Sequence, residues 1–296
     1  MKIPTETYEI KYKNYYLALE WLANIGVNLG SGRTKNYEKC IRFWKDNYKD
    51  ANKVDEIKIL PAFVNAMHEI NDFVDIYLAF KDVSKSELSD LIVKLQKSVH
   101  GPIELSSETE SSNTARNFLF EATLTAKMHK PEDDIYAILD AQSDSGVKVN
   151  DRKIWIECKR VTNIEKIRPN VRKARNQLEK IFKLKLGSSH RGIIAIDVTK
   201  IINPENDIYV TRNDQVLVYS VQKKMDDFIK ENNHVWQNVI EGKNKIVAII
   251  IRFSFMATSE SRNLLVHTSE WGVNTRIGIS DSEQSTLEYL TTAINK

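Results

Sequence analysis

Asp144, Glu157 and Lys159 are the residues of this 296-residue chain whose types and spacing best fit a chemical step. Two short apolar-rich stretches, Ser145 to Val149 and Lys153 to Lys159, flank Asn150-Asp151, a dipeptide suited to the positive φ angles of a tight hairpin turn. A two-residue loop pairs Val149 with Arg152, so paired residue numbers total 301 and Asp144 falls opposite Glu157. Side chains alternate across a strand, which puts Trp155, Glu157 and Lys159 on one face and Ile154, Ile156 and Cys158 on the other. Directly opposed residues have Cβ atoms about 4.5 to 5.5 Å apart, so two carboxylates and one ammonium converge on a small patch. Such a patch suits a divalent cation with a second positive charge beside it.

A lone Glu-x-Lys on a hairpin is ordinarily a solvated surface pair. Opposed carboxylates repel, however, and the arrangement costs stability unless a metal or a lysine compensates it. Asp140 is the competing acid; in the same register it opposes Val161, about 13 Å along the strand from Glu157. An odd-numbered loop would instead set Asp144 opposite Cys158.

The elements around the hairpin read as α/β. Asn113 or Thr114 can cap a helix running to about His129, with Phe118, Ala122, Thr125 and Ala126 along one side. A basic helix is expected from Asn170 to about Leu186, ended by Gly187. Gly192 to Val198 and Lys245 to Phe255 are continuous apolar runs, the pattern of strands buried on both faces. The first hundred residues read mainly as helix. Phe63, Met67, Ile70, Phe73, Val74 and Tyr77 recur at helical spacing after Pro61, and Ser84 with Glu87 is a capping-box signature for a helix from Lys85 to about Val99. Tyr15 to Asn24 and Tyr37 to Tyr48 are shorter candidates whose aromatics read as core rather than as a base-stacking surface. Glu104 to Asn113 is dense in Ser and Glu, giving an expected division into a helical domain, 1–105, and an α/β domain, 106–296.

Charge is unevenly spread. Arg152 to Arg191 holds thirteen Lys or Arg against three acids, a net +10, which leaves −7 for the rest of a chain whose total is +3. A basic segment in an otherwise acidic protein is either the footprint of a polyanion or a solvated helix face. Two cysteines, Cys40 and Cys158, make neither a disulfide framework nor a cysteine-rich zinc site, and the six histidines form no HExxH pair. No apolar run reaches the roughly 18 residues of a spanning helix. The first residues lack a secretory signal's apolar core and no GxxxxGK[ST] loop occurs, so the expectation is a cytoplasmic protein with no membrane partner and no ATPase loop.

In order and spacing, four segments resemble the PD-(D/E)XK nuclease superfamily, the restriction-endonuclease-like phosphodiesterases. They are Arg116-Asn-Phe-Leu-Phe-Glu121 on a helix, Asp144, Ile156-Glu157-Cys158-Lys159-Arg160, and Gln177-Leu-Glu-Lys180 on the following helix; together they run from about Thr114 to Val198. Ser143 departs from the proline that often precedes the family's aspartate. The resemblance implies a mixed sheet flanked by helices and a Mg2+- or Mn2+-dependent nuclease, an endonuclease acting on DNA, with a homodimer allowed. By the same resemblance Asp144, Glu157 and the Cys158 carbonyl hold the metal, Glu121 extends the acidic shell, Lys159 acts on the attacking water or the developing charge, and Gln177 lines the site. Arg160, Arg172, Lys173, Arg175, Lys180 and Lys183 are the candidate phosphate contacts. Taken without the family, Glu121 is an ordinary helix-surface acid, Gln177 seals a backbone group, and Asp197 is a lesser, loop-facing acid. The alternative function is an inactive nuclease fold that binds nucleic acid or a protein.

Overall fold

The computed structural model describes residues 3, 6–30, 32–50, 59–104, 113–139, 143–184, 189–261 and 264–295. Asp140, Gly187 and most of the Ser- and Glu-rich segment lie outside them. The chain divides into two compact units, one of Pro4–Ala126 and the other of Lys127–Lys296 together with Met1–Ile3.

The first unit is helical: α1 (Tyr8–Asn24), α2 (Arg33–Asn47), α3 (Ile59–Phe80), α4 (Ser89–Ser98) and α5 (Thr114–Lys127). Most of its aromatics are core, as their spacing predicts: Tyr15 and Tyr37 are buried, and Trp44 stacks on Phe63 with ring centroids 4.2 Å apart, whereas Tyr16 and Phe43 are exposed. Ser84 does bond Glu87, side chain to side chain at 2.5 Å, but α4 starts later than that signature predicts, at Ser89. The division falls at Ala126 and not near residue 105, because α5 is tied to the earlier helices. Buried Glu69 on α3 accepts Arg116 Nε of α5 at 2.7 Å, lies 2.9 Å from Arg33 Nη2 of α2, and accepts the Tyr37 hydroxyl at 2.9 Å. Burial works to raise the Glu69 carboxyl pKa, and the two guanidiniums outweigh it, leaving the group below the usual carboxylate range.

The second unit is mixed α/β. Its strands are β1 (Ile135–Ala137), β2 (Ser145–Val149), β3 (Arg152–Arg160), β4 (His190–Asp197), β5 (Ile208–Thr211), β6 (Ile246–Ser259) and β7 (Val266–Thr275). Its helices are α6 (Ile167–Leu184), the single turn α7 (Thr199–Ile202), α8 (Asp214–Ile240) and α9 (Asp281–Ile294). The sheet runs β1-β2-β3-β4-β6-β5, with β7 on the other edge of β6. β3, β4, β6 and β5 are mutually parallel; β1, β2 and β7 are antiparallel to their neighbours.

α6 and α8 cover one face of the sheet. Val171, Ala174, Leu178 and Ile181 of α6 and Leu217, Val221, Met225 and Phe228 of α8 share a core with Trp155, Ile194, Ile196, Ile249 and Ile251. That face is the one from which Glu157 and Lys159 project. α6 lies so close to β4 that a Cβ at Gly192 would stand 2.8 Å from Phe182 and 3.0 Å from Leu178. β4 and β6 are buried on both faces, as their apolar runs predict.

Candidate active site

The hairpin has the register its loop dictates. Val149 pairs with Arg152 and Ser145 with Ile156, every pair totalling 301, and Asn150 alone of the two loop residues takes a positive φ, 51°. Asp144 stands one residue before β2, where that register leads to Glu157. Its carboxylate meets the two residues that follow Glu157: Oδ2 accepts the Cys158 backbone N–H at 2.8 Å and lies 3.1 Å from Lys159 Nζ. Ser143, buried, donates its hydroxyl to the Ser145 carbonyl and closes the bend just ahead of Asp144.

Lys159 Nζ is the centre of the cluster. It donates to Asp144 Oδ2 at 3.1 Å, Glu157 Oε2 at 3.3 Å and the Cys158 carbonyl at 2.8 Å. Glu157 is the most enclosed member, its side chain 3% exposed, against 12% for Lys159 and 23% for Asp144. Burial, and then the Asp144 carboxylate beside it, push the Glu157 carboxyl up to about 8, with Lys159 pulling the other way. Burial likewise opposes the Lys159 ammonium, but Asp144 first and Glu157 second more than offset it, so its pKa is raised. With both acids ionised the trio carries net charge −1, and it accepts either a proton on Glu157 or a further cation.

The oxygens around Lys159 Nζ are of the type a hard divalent ion takes. Three oxygens, two carboxylate and one peptide carbonyl, lie within 3.3 Å of one cationic atom, so they already converge on a point that a cation occupies. Among the described residues no group of three or more His, Cys, Asp or Glu is placed to hold a metal. Such an ion would therefore rest on two side chains and a carbonyl, with water and substrate completing its shell, the manner in which Mg2+ is commonly held.

The remaining expected residues are distributed unevenly. Glu121 is buried in the first unit, 3.2 Å from Lys94 Nζ of α4, so it is neither a surface acid nor without a counter-charge. Gln177 sits on the buried side of α6, and its Oε1 is buried with no hydrogen-bond partner. An unmet buried acceptor costs about 1 to 3 kcal/mol, so sealing a backbone N–H is not what this oxygen does. Arg172, Lys173, Lys180 and Lys183 are exposed along α6. Arg175 differs: its Nη1 donates to the Val239 carbonyl at 3.2 Å near the end of α8, and its other nitrogens bind Asn176. Arg160 points to the opposite face of β3, with Nε 3.9 Å from Asp197 Oδ2.

That opposite face holds a polar cluster that the sequence reading did not assemble. Arg160, Asp197 and Arg252 lie in one row across β3, β4 and β6, with Arg252 Nη1 3.8 Å from Asp197 Oδ2. Above them Asp197 Oδ1 accepts Thr199 N–H, Thr199 Oγ1 accepts Ser254 N–H, and Ser254 Oγ lies 2.6 Å from His267 Nε2. The signal was the pair of polar residues, Arg252 and Ser254, that alternate within the apolar run of β6.

A scan against protein-family models found no match, and searches of curated proteins and of solved structures found none.

Proposed function

We propose that this chain is a divalent-metal-dependent nuclease of the restriction-endonuclease-like kind that hydrolyses phosphodiester bonds in nucleic acid, DNA above all. The observation that carries the reading is the convergence of Asp144 Oδ2, Glu157 Oε2 and the Cys158 carbonyl on one cationic atom at the open end of the hairpin. Asp144, Glu157 and the Cys158 carbonyl would hold Mg2+ or Mn2+. When bound, that ion lowers the pKa of its water and supplies positive charge to phosphate oxygens. Lys159, whose ammonium form is favoured by Asp144 and then Glu157, would orient the attacking water or stabilise charge on the phosphoryl oxygens. The exposed Arg172, Lys173, Lys180 and Lys183 on α6 supply phosphate contacts that carry no sequence information.

The test is incubation of the purified protein with linear and circular duplex DNA, single-stranded DNA and RNA in Mg2+ or Mn2+. Cleavage of at least one substrate, abolished by EDTA, is expected. No cleavage of any of them would leave the fold without the proposed activity.

A further inference from the structure

The atom on which the three proposed metal ligands converge is not solvent but Lys159 Nζ. It takes a hydrogen bond to each of them, at 2.8, 3.1 and 3.3 Å. An ammonium donates three hydrogens and here has three oxygen acceptors, so its donor capacity is filled by the same atoms a divalent ion would need. Its side chain is 12% exposed, so the charge is largely withdrawn from water, and the Asp144 carboxylate 3.1 Å away compensates it. A divalent ion and this ammonium cannot both use the three oxygens at close range, because like charges a few ångströms apart in a partly buried site repel strongly.

We infer that Lys159 is a built-in counter-cation of the metal site, which a divalent ion must exchange out, so that metal entry and delivery of the ammonium toward substrate are one event. The inference rests on the metal-site reading above and adds a regulation to it. Without metal, Lys159 holds the Asp144 and Glu157 side chains together and keeps its own charge off the substrate. With metal, Asp144, Glu157 and the Cys158 carbonyl turn to the ion and the ammonium is released with its donors free. No bond is made or broken in the exchange other than hydrogen bonds and metal coordination. The device gives the site a penalty for metal binding that a chain without Lys159 would not have.

Two measurements test it. Calorimetric titration of Mn2+ and of Ca2+ into the parent and into Lys159→Met should show the variant binding about tenfold or more tightly, because hydrogen bonds to charged groups no longer have to be broken first. In the parent protein, lysine modification mapped by mass spectrometry should find Lys159 slow to react in EDTA and several-fold faster in saturating Ca2+. Exposed Lys173 and Lys180 serve as internal references and should not change. Equal or weaker binding by Lys159→Met, or Lys159 reactivity that ignores bound Ca2+, would overturn the exchange while leaving the metal site standing. Absence of binding to either protein would overturn the metal reading and the exchange together.

Discussion

A carboxyl group enclosed as Glu157 is can relieve its burial in two ways, by taking a proton or by gaining a cation. Lys159 gives part of the second, yet burial and the neighbouring Asp144 still leave the group at about 8 against an ordinary 4.5. The consequence for stability has a definite sign. Below about pH 4.5 Glu157 is protonated folded or unfolded; between that value and about 8 the folded chain keeps a proton that the unfolded chain releases. The contribution is therefore full at low pH and is lost as pH rises through about 8. Melts in EDTA from pH 5 to 9 should show the parent losing stability relative to Glu157→Gln, which has no such proton. Parallel curves would show that Glu157 is not held protonated. At this scale the hairpin trio was legible because a two-residue loop leaves one register, and register decides which side chains meet. Arg175 was less so: its sequence neighbourhood says it is basic and helical, and only the fold brings the Val239 carbonyl within reach. Glu121 read as an exposed acid or as a member of the acidic shell, and Lys94, 27 positions earlier, had no local signal as its counter-charge.

At the scale of elements, α6 carries both halves of the account. Its apolar stripe seals the sheet face from which Glu157 and Lys159 project, while Arg172, Lys173, Lys180 and Lys183 face outward. If the outward residues touch phosphates, each lost contact should flatten the dependence of binding on salt by roughly 0.7 to 0.9 in log-log slope. Arg172→Ala with Lys180→Ala, assayed in Ca2+, should weaken nucleic-acid binding with little sequence preference and reduce that slope by two such steps. An unchanged slope would return these residues to the role of a solvated face. The buried strands β4 and β6, the hairpin and α6 could all be read from the sequence, since each writes its burial as a run or a period. β7 could not: Val266-His-Thr-Ser-Glu-Trp-Gly-Val-Asn-Thr275 has polar residues on both faces and an interior glycine, and it is a strand because β6 offers it an edge. β5 is four residues long, and β1 three, too short for a period to show. α8 does carry a helical stripe, Leu217, Val221, Met225 and Phe228, but its long polar faces dilute it, and α9 has the same mixed character.

For the molecule as a whole, the basic charge and the hairpin trio fall in one of the two units. The +10 segment from Arg152 to Arg191 lies wholly in the second unit, together with Asp144, Glu157 and Lys159, whereas Glu121 belongs to the first. No helix among the described residues is long and apolar enough to cross a membrane. The residues proposed to hold the cation and those proposed to touch phosphates lie on β3, the residue before β2, and α6, all in the second unit. The most direct test is plasmid cleavage by the parent and by Glu157→Ala at equal concentration in Mg2+ or Mn2+, each shown to be folded by circular dichroism. The parent should nick or linearise the plasmid, and EDTA should stop it. Glu157→Ala should retain no more than a few per cent of the rate, and a folded variant that cuts as fast as the parent would contradict the assignment of the site.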